Sequence, residues 1–134
     1  MKPESIEKAV ALAKKIGHVL IATSDLENIP HIAAAGKLEL SGREHLALTE
    51  WFCPSTLQNL QDNNFIAVVI WDKNSNSGFQ LIAHLEKIQD VAIMDGYSKN
   101  TESPTPLPQI ERKLILRVAK IIDFTLGPHS DLET

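Results

Sequence analysis

The stretch that most constrains the fold is 65-FIAVVIW-71, a run of apolar residues rich in valine and isoleucine. Successive side chains of a strand point to opposite faces, so this run presents apolar side chains on both. Such a strand has to be covered on both sides. The run is far too short to cross a bilayer. It therefore predicts a strand with a barrel interior on one side and a helix or a second subunit on the other.

Few helices are predicted around this strand. Residues 5–16 form an amphipathic pattern, and Gly17 follows as a C-terminal stop, so residues 1–17 are predicted as an N-terminal helical segment. A short helix is predicted over residues 56–61, with Leu57 and Leu60 directed inward. Residues 90–98 are compatible with a further helix.

The remaining segments predict strands in hairpin order. The β-branched run 18–24 is predicted as a strand, followed by a turn over residues 25–30 in which Asn28 is able to take the left-handed conformation. Further strands are predicted at 31–40, 45–50, 79–86 and 113–124, with a helix left open for the last of these. Residues 99–109 contain three prolines and are predicted as an exposed loop, and residues 126–134 as a tail. About six strands with few helices indicate a mainly β chain, closed as an antiparallel barrel.

Size, charge and cysteine content narrow the class of protein. A length of 134 residues suggests one domain over residues 1–134. The net charge of −4 argues against a nucleic-acid partner or an anionic membrane surface. The first residues lack the apolar core of a signal peptide. A single cysteine excludes an internal disulfide and a cysteine zinc site. These observations predict a cytoplasmic protein without a membrane or nucleic-acid partner.

The segment 53-CPST-56 joins the third predicted strand to the short helix. Ser55 and Gln58 have the spacing of a capping box, so Ser55 is expected to cap its own helix. A helix N-terminus also offers backbone donors and a positive dipole end, which bind phosphate. The hydroxyl of Thr56 would add a further donor. Both interpretations stay open from the sequence.

The segment 33-AAAGK-37 places small residues on the second predicted strand. Small side chains let another backbone or a flat ligand approach closely, although tight strand packing is the commoner cause. A flat-ligand platform on this strand and a phosphate site after the next one together suggest flavin mononucleotide (FMN). The sequence has no G-x-G-x-x-G fingerprint for a dinucleotide.

Three blocks of the sequence, in this order, resemble the FMN-binding split-barrel family related to pyridoxamine 5′-phosphate oxidase. They are 20-LIATSDLENIPHIAAAGKLEL-40, 46-LALTEWFCPSTLQNLQDNNFIAVVIW-71 and 79-FQLIAHLEKI-88. The resemblance covers roughly residues 5–125, and the second block is the most telling. It implies a six-stranded antiparallel split barrel with short flanking helices. The second block resembles an uncharacterised branch of the family.

The resemblance also implies FMN-binding residues and a homodimer that holds FMN between its subunits. In the family, backbone groups near the end of the second strand contact the flavin ring, and residues after the third strand hold the phosphate. Ser55 stands where relatives usually have arginine or lysine. The implied cofactor-binding residues are Ala34, Ala35, Gly36, Lys37, Thr49, Glu50, Trp51, Ser55 and Thr56.

Two classes of function follow from this resemblance. One is a flavin-dependent oxidoreductase with an unknown substrate and an unknown small-molecule electron donor or acceptor. The other is a non-catalytic FMN-binding, sensing or interaction module. A related barrel could also hold haem or a deazaflavin. The vitamin B6 oxidase activity does not carry over, because the C-terminal residues 124–134 lack the Arg-x-His motif of that enzyme.

Other reactive side chains have ordinary explanations in the sequence. Cys53 precedes a helix start, where a thiol becomes reactive, but we interpret it as a small packed side chain. The five histidines show no metal-ligand spacing. His84 is a candidate for lining a groove between subunits.

Overall fold

The computed structural model describes residues 3–51, 53–95, 108–128 and 130–134. Two helices and seven strands lie in these residues. They are α1 (Pro3–Ile16), β1 (Val19–Ser24), β2 (Pro30–Ala35), β3 (Lys37–Leu40), β4 (His45–Thr49), α2 (Pro54–Asp62), β5 (Phe65–Asp72), β6 (Ser77–Asp95) and β7 (Pro108–Asp123).

The N-terminal helix α1 forms as the sequence predicts. One face buries Ile6, Ala9, Val10 and Ala13 in the core, and the chain leaves the helix at Gly17 with φ of 90°. Lysines in the last turn favour this end, because they lie at the negative end of the helix dipole. Within the described residues, no helix has the length and apolar character needed to cross a membrane.

All seven strands form one antiparallel sheet in the order β2-β1-β5-β6-β7-β4-β3. The two edge strands, β2 and β3, are consecutive in the chain and are separated by Gly36 alone. The chain thus passes directly from one edge of the sheet to the other, which requires the sheet to curl. The mainly β, antiparallel split-barrel fold that the sequence predicts is confirmed.

The expectation of six strands is a miscount. Residues 31–40 were expected to form one strand, but they form β2, which pairs with β1, and β3, which pairs with β4. An alternating pattern indicates that a segment is extended, but it does not show which strands the segment pairs with. The break falls where the sheet curls.

The doubly apolar strand β5 has two different faces in the single chain. Ile66, Val68 and Ile70 are buried, whereas Phe65 is 48% exposed and Val69 lies at intermediate exposure. The first set belongs to a continuous core inside the curled sheet. Its largest fully buried side chains are Ile21, Leu46, Leu48, Ile66, Ile70, Leu81, Leu114, Leu116 and Ile121.

The interpretation of residues 90–98 as a helix is wrong for the described part. Residues 90–95 continue β6, and they pair with β7 from Arg112 back to Pro108. An ion pair between Arg112 Nε and Asp90 Oδ1, at 3.4 Å, joins the two strands. Pairing with a distant strand outweighs a local preference for helix. Residues 96–98 lie outside the described residues.

The last strand is confirmed, and the helical alternative for residues 113–124 is excluded, because β7 runs from Pro108 to Asp123. Of the predicted loop 99–109, residues 108 and 109 belong to β7, and the rest lies outside the described residues. The predicted tail is held to the barrel by a bridge between Ile122 and Glu133.

Candidate functional site

The break between β2 and β3 lies directly beside the end of β4. The backbone N–H of Gly36 donates to the carbonyl oxygen of Glu50 at 3.0 Å, and Lys37 is paired with Thr49 in the sheet. The fold therefore brings together two groups of predicted cofactor-binding residues that are distant in the sequence.

Gly36 is required by this close approach. A Cβ atom built at Gly36 would overlap the carboxylate of Glu50 and would lie 3.0 Å from its Cβ. Glu50 itself has φ of 60°, in the left-handed region that few non-glycine residues adopt. A sterically crowded glycine and a residue with a left-handed backbone conformation thus lie side by side where the sheet curls.

The neighbouring predicted residues differ in exposure. Ala34 is exposed on the outside of the sheet, whereas Ala35 is buried on the inside. Lys37 is exposed and forms an ion pair with Glu39, with 3.5 Å between Nζ and Oε1. Of the pair of alanines, only Ala34 is therefore placed to touch a ligand with its side chain.

Trp51 is directed into the protein. Its side chain is 3% exposed, and its indole Nε1 is buried without a hydrogen-bond partner among the described residues. A buried N–H without a partner is costly, which makes it a candidate donor to a bound group or a water.

The start of α2 differs from the predicted capping box. The N-cap residue is Cys53, Pro54 occupies the first turn, and no side chain caps the helix. The expectation that Ser55 caps its own helix is wrong, because the helix begins before Ser55, at Pro54, which is favourable at the first helical position. Ser55 is exposed, whereas Thr56 is 1% exposed and its hydroxyl makes no hydrogen bond of ordinary geometry among the described residues.

Two asparagines hold α2 against the sheet. Asn59 Nδ2 donates to Thr23 Oγ1 at 3.0 Å in a buried pair, and Asn63 Nδ2 donates to Ser24 Oγ at 3.1 Å. These bonds fix the position of the helix relative to β1. Both asparagines lie in the second block of the family resemblance, but the sequence does not reveal their partners, which lie more than thirty residues earlier.

Cys53 makes a polar contact that sequence reasoning missed. Its Sγ lies 3.0 Å from Nε2 of His31, and the thiol is only partly buried. Burial raises the pKa of the Cys53 thiol, but the His31 side chain, the Thr56 hydroxyl and the backbone N–H groups of Thr56 and Ser55 outweigh it and lower the pKa to about 7. The interpretation of Cys53 as a packed apolar side chain is therefore incomplete. No local pattern signals the pairing of residues 31 and 53.

An apolar face covers the outside of β2, β1 and β5. We call it the outer apolar face. Leu20 is paired with Ala34 and Val69, and Ala22 with Ile32 and Ala67, so these side chains share one side of three adjacent strands. Its members Leu20, Ile32 and Phe65 are 43%, 66% and 48% exposed. The ring of His84 packs on Phe65, with 4.2 Å between ring centroids, at the margin of this face.

Comparisons with known proteins identify the fold of the chain. No family model matches the sequence, and no curated protein matches it. Similar solved structures cover nearly the whole chain.

Three of these structures define the class of fold. A Clostridium acetobutylicum protein related to general stress protein 26 of Bacillus subtilis, of the pyridoxinephosphate oxidase family, has a TM-score of 0.67 at 15% identity, covering 100% of this chain and 96% of its own. An FMN-binding protein from Syntrophomonas wolfei has a TM-score of 0.65 at 19% identity, covering 92% and 88%. An F420 reductase has a TM-score of 0.55 at 13% identity, covering 83% and 93%.

The chain thus has the split-barrel fold of pyridoxamine 5′-phosphate oxidase-related proteins. The resemblance drawn from the three sequence blocks is confirmed at the level of the fold.

Proposed function

We propose that this protein is an FMN-binding flavoprotein that works as a homodimer, with FMN bound where two subunits meet, and that it acts as a flavin-dependent oxidoreductase. The observation that carries the proposal is the junction at Gly36. There the flavin-contacting segment implied by the resemblance, Ala34 to Lys37, meets the phosphate-binding segment that begins at Thr49 and Glu50.

The start of α2 fits a phosphate monoester through its backbone. The helix has nine residues, no side-chain cap and no acidic residue in its first turn. Its N–H groups and dipole favour an anion. Thr56 is buried, so we assign it a backbone contact, and Ser55 is the exposed hydroxyl. The backbone N–H groups of Ser55 and Thr56 also face the Cys53 sulfur, so a phosphate and a thiolate would compete for them.

The outer apolar face supports the dimer. Exposed apolar side chains on three adjacent strands form a patch of the kind that marks a protein interface. Ala34, one of the proposed flavin contacts, lies on this face beside Leu20. A twofold pairing through the face would therefore bring a second subunit against the flavin site.

When bound, FMN would supply the electron-transfer chemistry, and the protein would bind and orient it. The small, exposed side chain of Ala34 permits a flat ring to approach the strand, and the buried Nε1 of Trp51 has no hydrogen-bond partner among the described residues. Lys37 would supply a positive charge to the flavin-contacting segment. A deazaflavin would use the same platform, and a binding or sensing protein would need the same contacts without a substrate site.

The absorbance spectrum of the purified protein tests the cofactor directly, followed by titration of the apoprotein with FMN, FAD and a deazaflavin. We expect an oxidised-flavin spectrum and tighter binding of FMN than of FAD, because the start of α2 suits a terminal phosphate. Equal or tighter binding of FAD, or preference for the deazaflavin, would overturn the FMN assignment. Turnover with NADH or NADPH and an artificial acceptor distinguishes an oxidoreductase from a binding protein.

A further inference from the structure

The contact between Cys53 and His31 joins a thiol at the start of α2 to an imidazole on β2. Their Sγ and Nε2 atoms are 3.0 Å apart, within the range for a hydrogen bond to sulfur. In the neutral pair the thiol donates to Nε2, and in the ionic pair Nε2–H donates to the thiolate. An imidazole in this position activates a thiol by accepting its proton.

The surroundings of the sulfur favour negative charge. The backbone N–H groups of Ser55 and Thr56 face it from the first turn of the helix, and the helix dipole acts in the same direction. The buried Thr56 hydroxyl also faces the sulfur and has no hydrogen-bond partner of ordinary geometry among the described residues. These groups surround the Cys53 sulfur on the protein side, while the side chain remains partly exposed to solvent.

We propose that Cys53 and His31 form a nucleophilic thiol–imidazole pair, and that Cys53 is a site of reversible mixed-disulfide formation with small-molecule disulfides. Because the pair shares the backbone N–H groups of Ser55 and Thr56 with the proposed phosphate site, its chemistry is measured on the flavin-free protein. The pair gives the chain a second chemical site.

The reaction is a thiol–disulfide exchange. The Cys53 thiolate attacks one sulfur of the small disulfide, a new S–S bond forms, and the original S–S bond breaks. The departing thiolate takes the proton held by His31. Cys53 is oxidised, and half of the small disulfide is reduced to a thiol. No second cysteine lies in these 134 residues, so no thiol of the same chain resolves the adduct.

Reaction of the full chain with oxidised glutathione tests this proposal, with iodoacetamide as a second probe. Intact mass should show one glutathionyl adduct that dithiothreitol removes. The alkylation rate should rise with pH and reach half its maximum near pH 7, because the thiolate is the reacting form. His31, on β2, is the only titratable side chain among the described residues whose interaction alters the Cys53 pKa.

Two variants and one control separate a chemical role from a structural one. His31→Asn should move the midpoint of the rate profile toward the ordinary thiol value of about 8.5, and Thr56→Val should move it in the same direction by less. His18→Asn, at an exposed histidine, should leave the midpoint unchanged. Titration of the ultraviolet absorbance of the wild-type thiolate gives the same midpoint without a variant.

Three results would overturn the proposal. They are a wild-type midpoint at 8.5 or above, a native protein whose Cys53 forms no adduct, and a folded His31→Asn variant with the wild-type profile. Since none of these measurements uses flavin, the proposal and the proposed function can fail separately.

Discussion

At the scale of the residue, the closure of the barrel depends on Gly36 and Glu50. The side chain of Glu50 leaves no room for a side chain at position 36, and Glu50 itself has a left-handed backbone conformation. Both features arise because β2 ends and β3 begins against the end of β4. Both positions are also in the proposed flavin site, where strained or crowded backbone is commonly found.

The Gly36→Ala variant tests this crowding. We expect a loss of about 1–3 kcal/mol in the free energy of unfolding, because the new methyl group displaces the Glu50 side chain. In a double-mutant cycle, Glu50→Gly should restore part of this loss, since it removes the overlapping side chain and favours the positive φ. Urea unfolding of the four proteins measures the coupling, and additive losses would show that Glu50 is not the obstacle.

The exposed hydroxyl at Ser55 allows a charge test of the phosphate site. Ser55→Glu should weaken FMN binding at least tenfold while leaving the fold intact, because the carboxylate repels a phosphate but suits the first turn of a helix. Gln58→Glu adds the same charge to an exposed position further along α2 and should change affinity much less. Equal effects of the two variants, measured by fluorescence titration, would place the phosphate elsewhere.

At the scale of the element, α2 is held by polar contacts as well as by Leu60. The buried bond from Asn59 to Thr23 satisfies two side chains that would otherwise be stranded in the interior. This anchoring sets where the helix start lies, and hence the positions of Cys53 and Ser55. The helix is thus placed by the sheet and not by its own cap.

Removing one partner of this buried bond should be costly. Asn59→Ala is expected to lower the free energy of unfolding by about 1–3 kcal/mol, because it leaves the Thr23 hydroxyl without a partner and opens a cavity. The double variant Thr23→Val with Asn59→Leu should lose less than the sum of its single changes, since no polar group is then left unpaired. Thermal unfolding of the wild type, Asn59→Ala, the two single changes of the cycle and the double variant, five proteins in all, checks both expectations.

At the scale of the whole molecule, the two faces of β5 have different surroundings. Val68 is fully buried within the barrel, whereas Val69 lies on the outer apolar face. A dimer formed through that face would bury on the order of 2,000 Å² or more if it is obligate. In the single chain, the outer apolar face is partly exposed to water.

Adjacent aspartates on β5 separate association from folding. Val69→Asp should yield a folded monomer with weak FMN binding, because the charge opposes burial at the interface. Val68→Asp should fail to fold, because its carboxylate would be buried without a partner. Sedimentation at several concentrations, with circular dichroism and FMN titration, distinguishes the two. A wild-type monomer that binds FMN at full strength would refute both the dimer and the shared site.

The sequence by itself determined the elements whose signal is local. The apolar periodicity and Gly17 set α1, and Asn28 set the first turn with φ of 65°. The run at residues 65–71 predicted a strand that needs cover on both sides. Each of these depends on residues close together in the chain, where propensity and side-chain alternation act directly. That is why the fold class could be predicted.

Tertiary structure alone decided the features that depend on distant partners. Residues 31–40 divide at Gly36 because the two halves pair with different strands, and residues 90–95 are extended because they pair with β7. The pairing of β6 with β7 shifts register between Val118 and Lys120, so Ile121 is buried with Leu114 and Leu116, although simple alternation places it on the opposite face. Likewise, His31 meets Cys53 only because β2 and α2 pack together. Long-range pairing and packing energies exceed local preferences, and a single sequence does not display them.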